Sequence, residues 1–269
     1  MKFLFYGATG RMGSLLHHWL PRDSKIIYGD RIGIYLDPAK KDYQGFEKIL
    51  KTKSPIIFVD LSLDYSSVDA MINHELIKTM NIGALKKSGQ LFAYVGASSG
   101  ASQFPDSAIL SQFYMHYANL KRQRKLFLKS LEIPFFYPDI FTLIGQSSYG
   151  QKTVGWVDVM DTCISSDEVC IGYPLELRSW VSESKLLHEM TQFISHPIHQ
   201  IEGGITEGVF CLQDIVEIVQ QCLNKKVSVK SKSCSRWLSV AYLNQSREVV
   251  SQRKKMTLES YILPLINKE

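Results

Sequence analysis

The stretch Phe3-Leu4-Phe5-Tyr6-Gly7-Ala8-Thr9-Gly10-Arg11-Met12-Gly13 decides how this chain folds. Four apolar residues run directly into Gly7, which reads as a buried strand. From Arg11 the period changes. Met12, Leu15, Leu16 and Leu20 fall at helical spacing, and Pro21 stops the helix. Between strand and helix stand Gly7, Gly10 and Gly13. Glycine permits a sharp turn and a close approach of the backbone to an anion. The free N–H groups and dipole of the new helix face that anion. A glycine triplet alone is weak evidence, but this one has a strand before it and a helix after it, as a pyrophosphate-binding turn requires.

The same alternation continues downstream. Strands are expected at 25–28, 56–59, 91–95 and 135–137, with helices around 46–50, 68–85 and 109–131. Strands alternating with helices imply a parallel sheet covered on both faces, and right-handed crossovers make it doubly wound. The expected fold is therefore α/β, a Rossmann-type doubly wound parallel sheet. From 146 to 177 the pattern is irregular. Beyond it come a helix at 183–194, a strand near Ile201, a helix at 212–223, a strand at 227–229 and a last helix at 258–266. This reading places an NAD(P)-binding domain at 1–145 and a smaller substrate lobe at 146–269.

Composition excludes several classes. With 45% apolar and 21% charged residues the chain can bury a core without disulfides. The five cysteines, Cys163, Cys170, Cys211, Cys222 and Cys234, form no CxxC pair, so no metal site is indicated and a reducing cytoplasm is expected. No apolar run approaches membrane-spanning length. The formal charge of +5 is mild. Its densest run, Lys121, Arg122, Arg124, Lys125 and Lys129, reads as a solvated helix face rather than a nucleic-acid surface.

Further polar residues stand where ligand chemistry needs them. Asp30 closes the second strand twenty residues after Gly10, where a carboxylate accepts from the adenosine ribose hydroxyls. Arg31 beside it, and Arg11 in the turn, suit a 2′-phosphate instead, so NAD and NADP both stay open. Met12 in the turn and Leu61 after the third strand are expected beside the same cofactor. Tyr117 and Lys121 lie four apart on one helix face. An ammonium beside a phenol favours the phenolate, and such a tyrosine passes protons near neutral pH. Ser98 and Ser99 follow the fourth strand, at the edge of a doubly wound sheet that lines the ligand crevice.

Together these residues resemble the extended short-chain dehydrogenase/reductase family, which includes nucleotide-sugar epimerases, dehydratases and dTDP-4-dehydrorhamnose reductases. The resemblance covers nearly the whole chain. Gly7, Gly10 and Gly13 match its GxxGxxG, and Tyr117 and Lys121 its YxxxK. Ser98 falls at its catalytic Ser/Thr, with Ser99 the alternate register. Ile144-Gly145 is similar to its tyrosine–glycine pair. Arg178-Ser179-Trp180-Val181 is similar to a segment whose arginine commonly contacts the substrate pyrophosphate, and Ile201-Glu202-Gly203-Gly204 begins what resembles its C-terminal lobe. Three departures stand out. Asp60 replaces a common His or Asn, Asp139 replaces a common arginine, and Gly100-Ala101-Ser102 replaces Val-Tyr-Gly.

The resemblance implies an NAD(P)-dependent ketoreductase or epimerase of a nucleotide sugar. In it, Tyr117 is the proton donor, Lys121 its partner and a ribose ligand, Ser98 the group that orients the carbonyl, and Ser99 and Arg178 substrate contacts. The alternative is a non-catalytic NADP-binding partner protein of the same fold. The family also implies a homodimer, built from the helices at 68–85 and 109–131.

Overall fold

The computed structural model describes residues 2–28, 49–103, 112–145, 155–172, 178–231 and 255–266. In chain order the first half holds β1 (Lys2–Tyr6), α1 (Arg11–Trp19), β2 (Lys25–Tyr28), β3 (Ile56–Asp60), α2 (Val68–Lys87), β4 (Leu91–Gly96), β5 (Ser98–Ser99) and α3 (Gln112–Ser130). The second half holds β6 (Phe135–Phe136), β7 (Asp139–Ile140), β8 (Leu143–Ile144), α4 (Gly155–Ser165), β9 (Glu168–Ile171), β10 (Arg178–Ser182), α5 (Glu183–Ser195), β11 (Gln200–Ile201), β12 (Gly208–Phe210), α6 (Leu212–Leu223), β13 (Ser228–Ser231) and α7 (Lys255–Ile266). The helix expected at 46–50 lies mostly outside the described residues.

The chain divides into two units. The first comprises Met1–Asp139 and Leu187–Gly204, the second Ile140–Leu186 and Ile205–Glu269. Unit 1 contains a six-stranded sheet in the order β11-β6-β4-β3-β1-β2, every pair parallel. From β1 the chain goes to β2 on one side, then to β3 on the other, so the strand order reverses between β1 and β3. A ligand crevice opens at the carboxyl ends of strands flanking such a reversal.

Side chains alternate across the pleat. Leu4, Tyr6, Phe58, Tyr94, Phe135 and Tyr137 pack on one face with Ile82 and Leu85 of α2 and Leu128 of α3. Four of them form an aromatic row across neighbouring strands: Tyr6 stacks on Phe58 at 5.2 Å, Phe58 on Tyr94 at 5.8 Å, and Tyr137 meets Tyr94 edge-on at 5.8 Å. On the other face Phe136 meets Phe193 of α5 at 5.9 Å. Helices thus cover both faces, as a doubly wound sheet requires. The ends of α2 are fixed locally: Ser67 Oγ accepts from Ala70 N at 3.0 Å, and Ser88 N donates to Ala84 O at 3.0 Å.

Two features correct the sequence reading. A division after Gly145 would assign 187–204 to the second lobe, yet β11 extends the main sheet beside β6, pairing Gln200 with Phe135 and Ile201 with Phe136. The irregular stretch at 146–177 contains α4 and β9 among its described residues. Trp156, Val157, Met160 and Cys163 of α4 are buried, at helical spacing. They pack with Ile215, Val216 and Val219 of α6 and with Leu258 and Ile262 of α7, which gives unit 2 its own core. α6 is held at its start by Asp214, whose Oδ2 accepts from Cys211 N at 2.7 Å.

Candidate active site

The turn after β1 explains its own glycines. Gly7 has φ +79, and a Cβ there would lie 2.6 Å from Leu61 O and 2.8 Å from Ser62 N. The segment after β3 therefore passes directly against it. At Gly13 a Cβ would meet Gly7 O at 1.8 Å, so only glycine lets α1 start this close to the strand. At Gly10 the sole atom within reach among the described residues is Gly7 O at 3.2 Å. Gly10 caps α1 without a side-chain hydrogen bond, and the first turn of α1 has no acidic residue. The leading N–H groups of the helix are thus left for an anion. A close-packed glycine cradle with an uncapped helix start fits a dinucleotide pyrophosphate. Leu61 N donates to Tyr6 O at 3.0 Å, which joins the segment after β3 to the end of β1. Asp30, Arg31 and the Arg11 side chain lie outside the described residues and side chains.

At the same end of the sheet, α3 brings Tyr117 and Lys121 together. Lys121 Nζ lies 5.6 Å from the Tyr117 ring centre and 5.8 Å from that of Tyr137. It donates to Ala97 O at 3.0 Å, which ties α3 to the residue just before Ser98. Burial works against the Lys121 charge, but Tyr137, Tyr117 and Glu75 outweigh it and hold its pKa above the ordinary lysine range. The lysine is thus a fixed cation at any working pH. The exposed ring of Tyr65 stands 5.9 Å from that of Tyr117. Ser98 is buried, and its hydroxyl has no hydrogen-bond partner among the described residues. Ser99 is partly exposed, and its Oγ accepts from Ala101 N at 3.2 Å.

Beneath this surface lies a charge network that sequence reasoning missed. Lys78 Nζ contacts Asp60 Oδ1 at 2.8 Å and Glu75 Oε1 at 2.5 Å, and donates to Ser62 O at 2.7 Å. Arg124 reaches Glu75 Oε2 from NH2 at 2.7 Å and from Nε at 3.1 Å. Tyr94 OH donates to Asp60 Oδ2 at 2.9 Å. All five side chains are buried. Burial raises the Glu75 carboxyl, yet Lys78 and Arg124 prevail and hold it well below the usual carboxylate range. Burial, then the Asp60 charge, pushes the Tyr94 phenol well above its ordinary value.

A second hub forms at Asp139, which has no exposed surface. It accepts from Ser102 Oγ at 2.9 Å, from Gln103 Nε2 at 2.6 Å, and from Lys125 Nζ at 2.8 and 2.9 Å. The turn at Gly100–Gln103 and α3 are thereby tied to the start of β7. Asp60 and Asp139, the two acidic departures from the family pattern, each come with a lysine of their own. The basic run of α3 is accordingly not a solvated face: Arg124 is buried and Lys121 and Lys125 are partly so.

Arg178 belongs to unit 2. It opens β10, opposite Phe210 of β12, and its NH1 lies 3.9 Å from where a Gly155 side chain would begin. Ile144 is buried at the end of β8, and Gly145 leaves room for the Glu183 carboxylate, which a Cβ would meet at 2.3 Å. Among the described residues no group of His, Cys, Asp and Glu is arranged to hold a metal ion, and no helix is long and apolar enough to cross a membrane.

No protein-family model matches the sequence, and no curated protein matches it. Solved structures do match its fold. A dTDP-4-dehydrorhamnose reductase from Clostridium acetobutylicum ATCC 824 is 17% identical over 98% of this chain and 99% of that one, with a TM-score of 0.64. A GDP-L-fucose synthetase from Naegleria fowleri bound to NADP is 13% identical over 99% and 94%, with a TM-score of 0.64. MoeE5 in complex with UDP-glucose and NAD is 14% identical over 87% and 86%, with a TM-score of 0.62. At such identities the likeness is one of fold, and it agrees with the parallel sheet, the strand reversal and the glycine turn: the chain has a Rossmann-type α/β fold.

Proposed function

We propose that this chain is an NAD(P)-dependent enzyme that reduces or epimerises a nucleotide sugar. The observation that carries the proposal is Lys121, fixed between the Tyr117 ring and the Ala97 carbonyl, at the end of the sheet where the glycine turn leaves an anion site. Support comes from the fold likeness to a reductase of a dTDP-sugar, an NADP-bound GDP-L-fucose synthetase and a protein complexed with UDP-glucose and NAD.

In this reading Gly7, Gly10, Arg11, Met12, Gly13 and Leu61 hold the dinucleotide pyrophosphate and its neighbours, and Asp30 or Arg31 selects the adenosine end. The nicotinamide, when bound, supplies hydride exchange with a sugar carbon. Tyr117 moves the proton at the reacting sugar oxygen. Lys121 holds its positive charge beside the Tyr117 ring during that transfer and binds the nicotinamide ribose. Ser98 donates to the same sugar oxygen once its unpartnered hydroxyl turns toward it, and Ser99 and Arg178 contact the substrate. Unit 2 serves as the substrate lobe. The working form is a homodimer in the cytoplasm.

The test is a calorimetric titration with NAD and NADP, followed by a thermal-shift screen of UDP-, GDP- and dTDP-sugars with the preferred cofactor present. Binding raises the melting temperature by mass action, so the responding sugar nucleotide identifies the substrate class. A chain that binds neither dinucleotide overturns the proposal. Cofactor retained through purification favours epimerisation, and cofactor lost on dialysis favours reduction.

A further inference from the structure

Ser62 lies two residues beyond β3, against the glycine turn: its N is 2.8 Å from where a Gly7 side chain would begin. Its backbone is held from two sides. Lys78 Nζ donates to Ser62 O at 2.7 Å, and Ser62 N donates to Asp60 Oδ1 at 3.4 Å. The same Lys78 and Asp60 are paired at 2.8 Å and buried, so the anchor is rigid. The residue it fixes is partly exposed, yet its Oγ is turned inward and has no hydrogen-bond partner among the described residues.

A buried hydroxyl without a partner loses its hydration and gains nothing in return. A backbone clamped by two buried charges around such an orphan is hard to explain as packing. A serine side chain has three staggered positions, and rotation about χ1 carries the hydroxyl from its inward position to the exposed side of the residue. The Ser62 backbone borders the turn that holds the dinucleotide in the reading above, on which this inference rests.

We propose that Ser62 is a cofactor-binding residue, positioned by the Lys78–Asp60 pair. When the dinucleotide binds, the hydroxyl turns outward and donates to one of its oxygens, phosphate or ribose, beside Gly7. This gives the acidic departure at Asp60 a purpose: with Lys78 it sets the loop that presents the hydroxyl.

The experiment compares Ser62→Ala and Ser62→Thr with the wild type, reading dissociation constants by calorimetry and the melting temperature of the ligand-free protein. Ser62→Ala weakens binding of the preferred dinucleotide roughly 5- to 20-fold, the loss expected for one hydrogen bond. It leaves the ligand-free melting temperature unchanged or higher, because the lost hydroxyl had no partner. Ser62→Thr retains binding. The same loss with ADP assigns the contact to the adenosine half, and its persistence with inorganic pyrophosphate to a phosphate there, whereas a loss with ADP-ribose but not ADP assigns it to the second ribose. Unchanged affinity of Ser62→Ala overturns the proposal, and so does weaker binding accompanied by a lower ligand-free melting temperature, which marks a structural serine. A wild type that binds none of these probes overturns the dinucleotide reading itself, and the Ser62 assignment with it.

Discussion

Gly10 and Gly13 stand three residues apart in one turn but answer to different neighbours. A methyl group at Gly13 would overlap Gly7 O at 1.8 Å, within the protein's own backbone, whereas one at Gly10 would meet, among the described residues, only that carbonyl, at 3.2 Å. Gly13→Ala should therefore lower the melting temperature of the ligand-free chain. Gly10→Ala should keep the fold and weaken dinucleotide binding by roughly ten-fold or more, because the methyl occupies space the pyrophosphate needs. Circular dichroism melts and calorimetry on the two variants separate these effects, and equal affinity in Gly10→Ala and wild type would make the turn purely structural. Tyr117 offers a parallel distinction between fold and chemistry. Phenylalanine fills the same volume, so Tyr117→Phe should retain structure and cofactor affinity while losing about 10²- to 10⁴-fold in turnover, the usual worth of a general acid. An unaltered rate would shift the proton to another phenol, with the exposed Tyr114 one turn earlier on α3 the first to examine.

Helices α2 and α3 are joined by charge where apolar contacts would be expected. Along α2 the buried positions are Met71, Glu75, Lys78, Asn81, Ile82 and Leu85, so two ionised side chains sit in the middle of a core-facing stripe. Removing one partner of a buried pair strands the other, which typically costs about 3–5 kcal/mol. Arg124→Met should cost that much in urea unfolding, since the Glu75 carboxylate then loses both bonds from Nε and NH2. A wild-type value would mean that Lys78 alone compensates Glu75. The network also sets an acid limit. The folded state holds Glu75 below its unfolded value, so its contribution is complete above the unfolded carboxylate pKa of about 4.3 and declines as pH falls below it. Melting temperatures measured from pH 6 down to 3 should drop more slowly in Glu75→Gln than in the wild type, from a lower starting point. The periodicity of these helices was legible from their apolar residues, and so were Tyr117, Lys121 and the glycine turn, because each depends on local spacing. The ion pairs were not. Asp60 and Lys78 are eighteen residues apart, and Glu75 and Arg124 forty-nine, so only the fold reveals that they meet. A cue was present in charges of opposite sign at core-register positions of two helices. Read one helix at a time, Arg124 looks like part of a solvated basic face.

At the scale of the molecule, the sequence pattern conveyed the alternation of strands and helices but not where each strand goes. β11 is only two residues long, and nothing in Gln200-Ile201 says that it returns to the main sheet beside β6. The assembly of the chain raises the same question for its surfaces. α2 is apolar on two sides. Met71 belongs to the core, whereas Ile72, Leu76 and Met80 recur every fourth residue on the opposite side and are 36%, 55% and 51% exposed. Tyr114 of α3 is 49% exposed as well, while Phe113 and Met115 are partly buried and Leu110 lies outside the described residues. An apolar row of this kind on a helix needs a cover. A stable interface buries roughly 1,200–2,000 Å² in total, and the exposed Tyr114 of α3 adds to the apolar surface that the row on α2 offers. We expect a homodimer about a two-fold axis, with α2 and α3 of one copy meeting α2 and α3 of the other, because a closed pair satisfies both copies with one self-complementary patch. Sedimentation should show a dimer at micromolar concentration and a monomer for Leu76→Lys, which places an unpaired charge in the centre of the row. A monomeric wild type would refute the arrangement, and a Leu76→Lys variant that stays dimeric would move the interface to another face of the molecule.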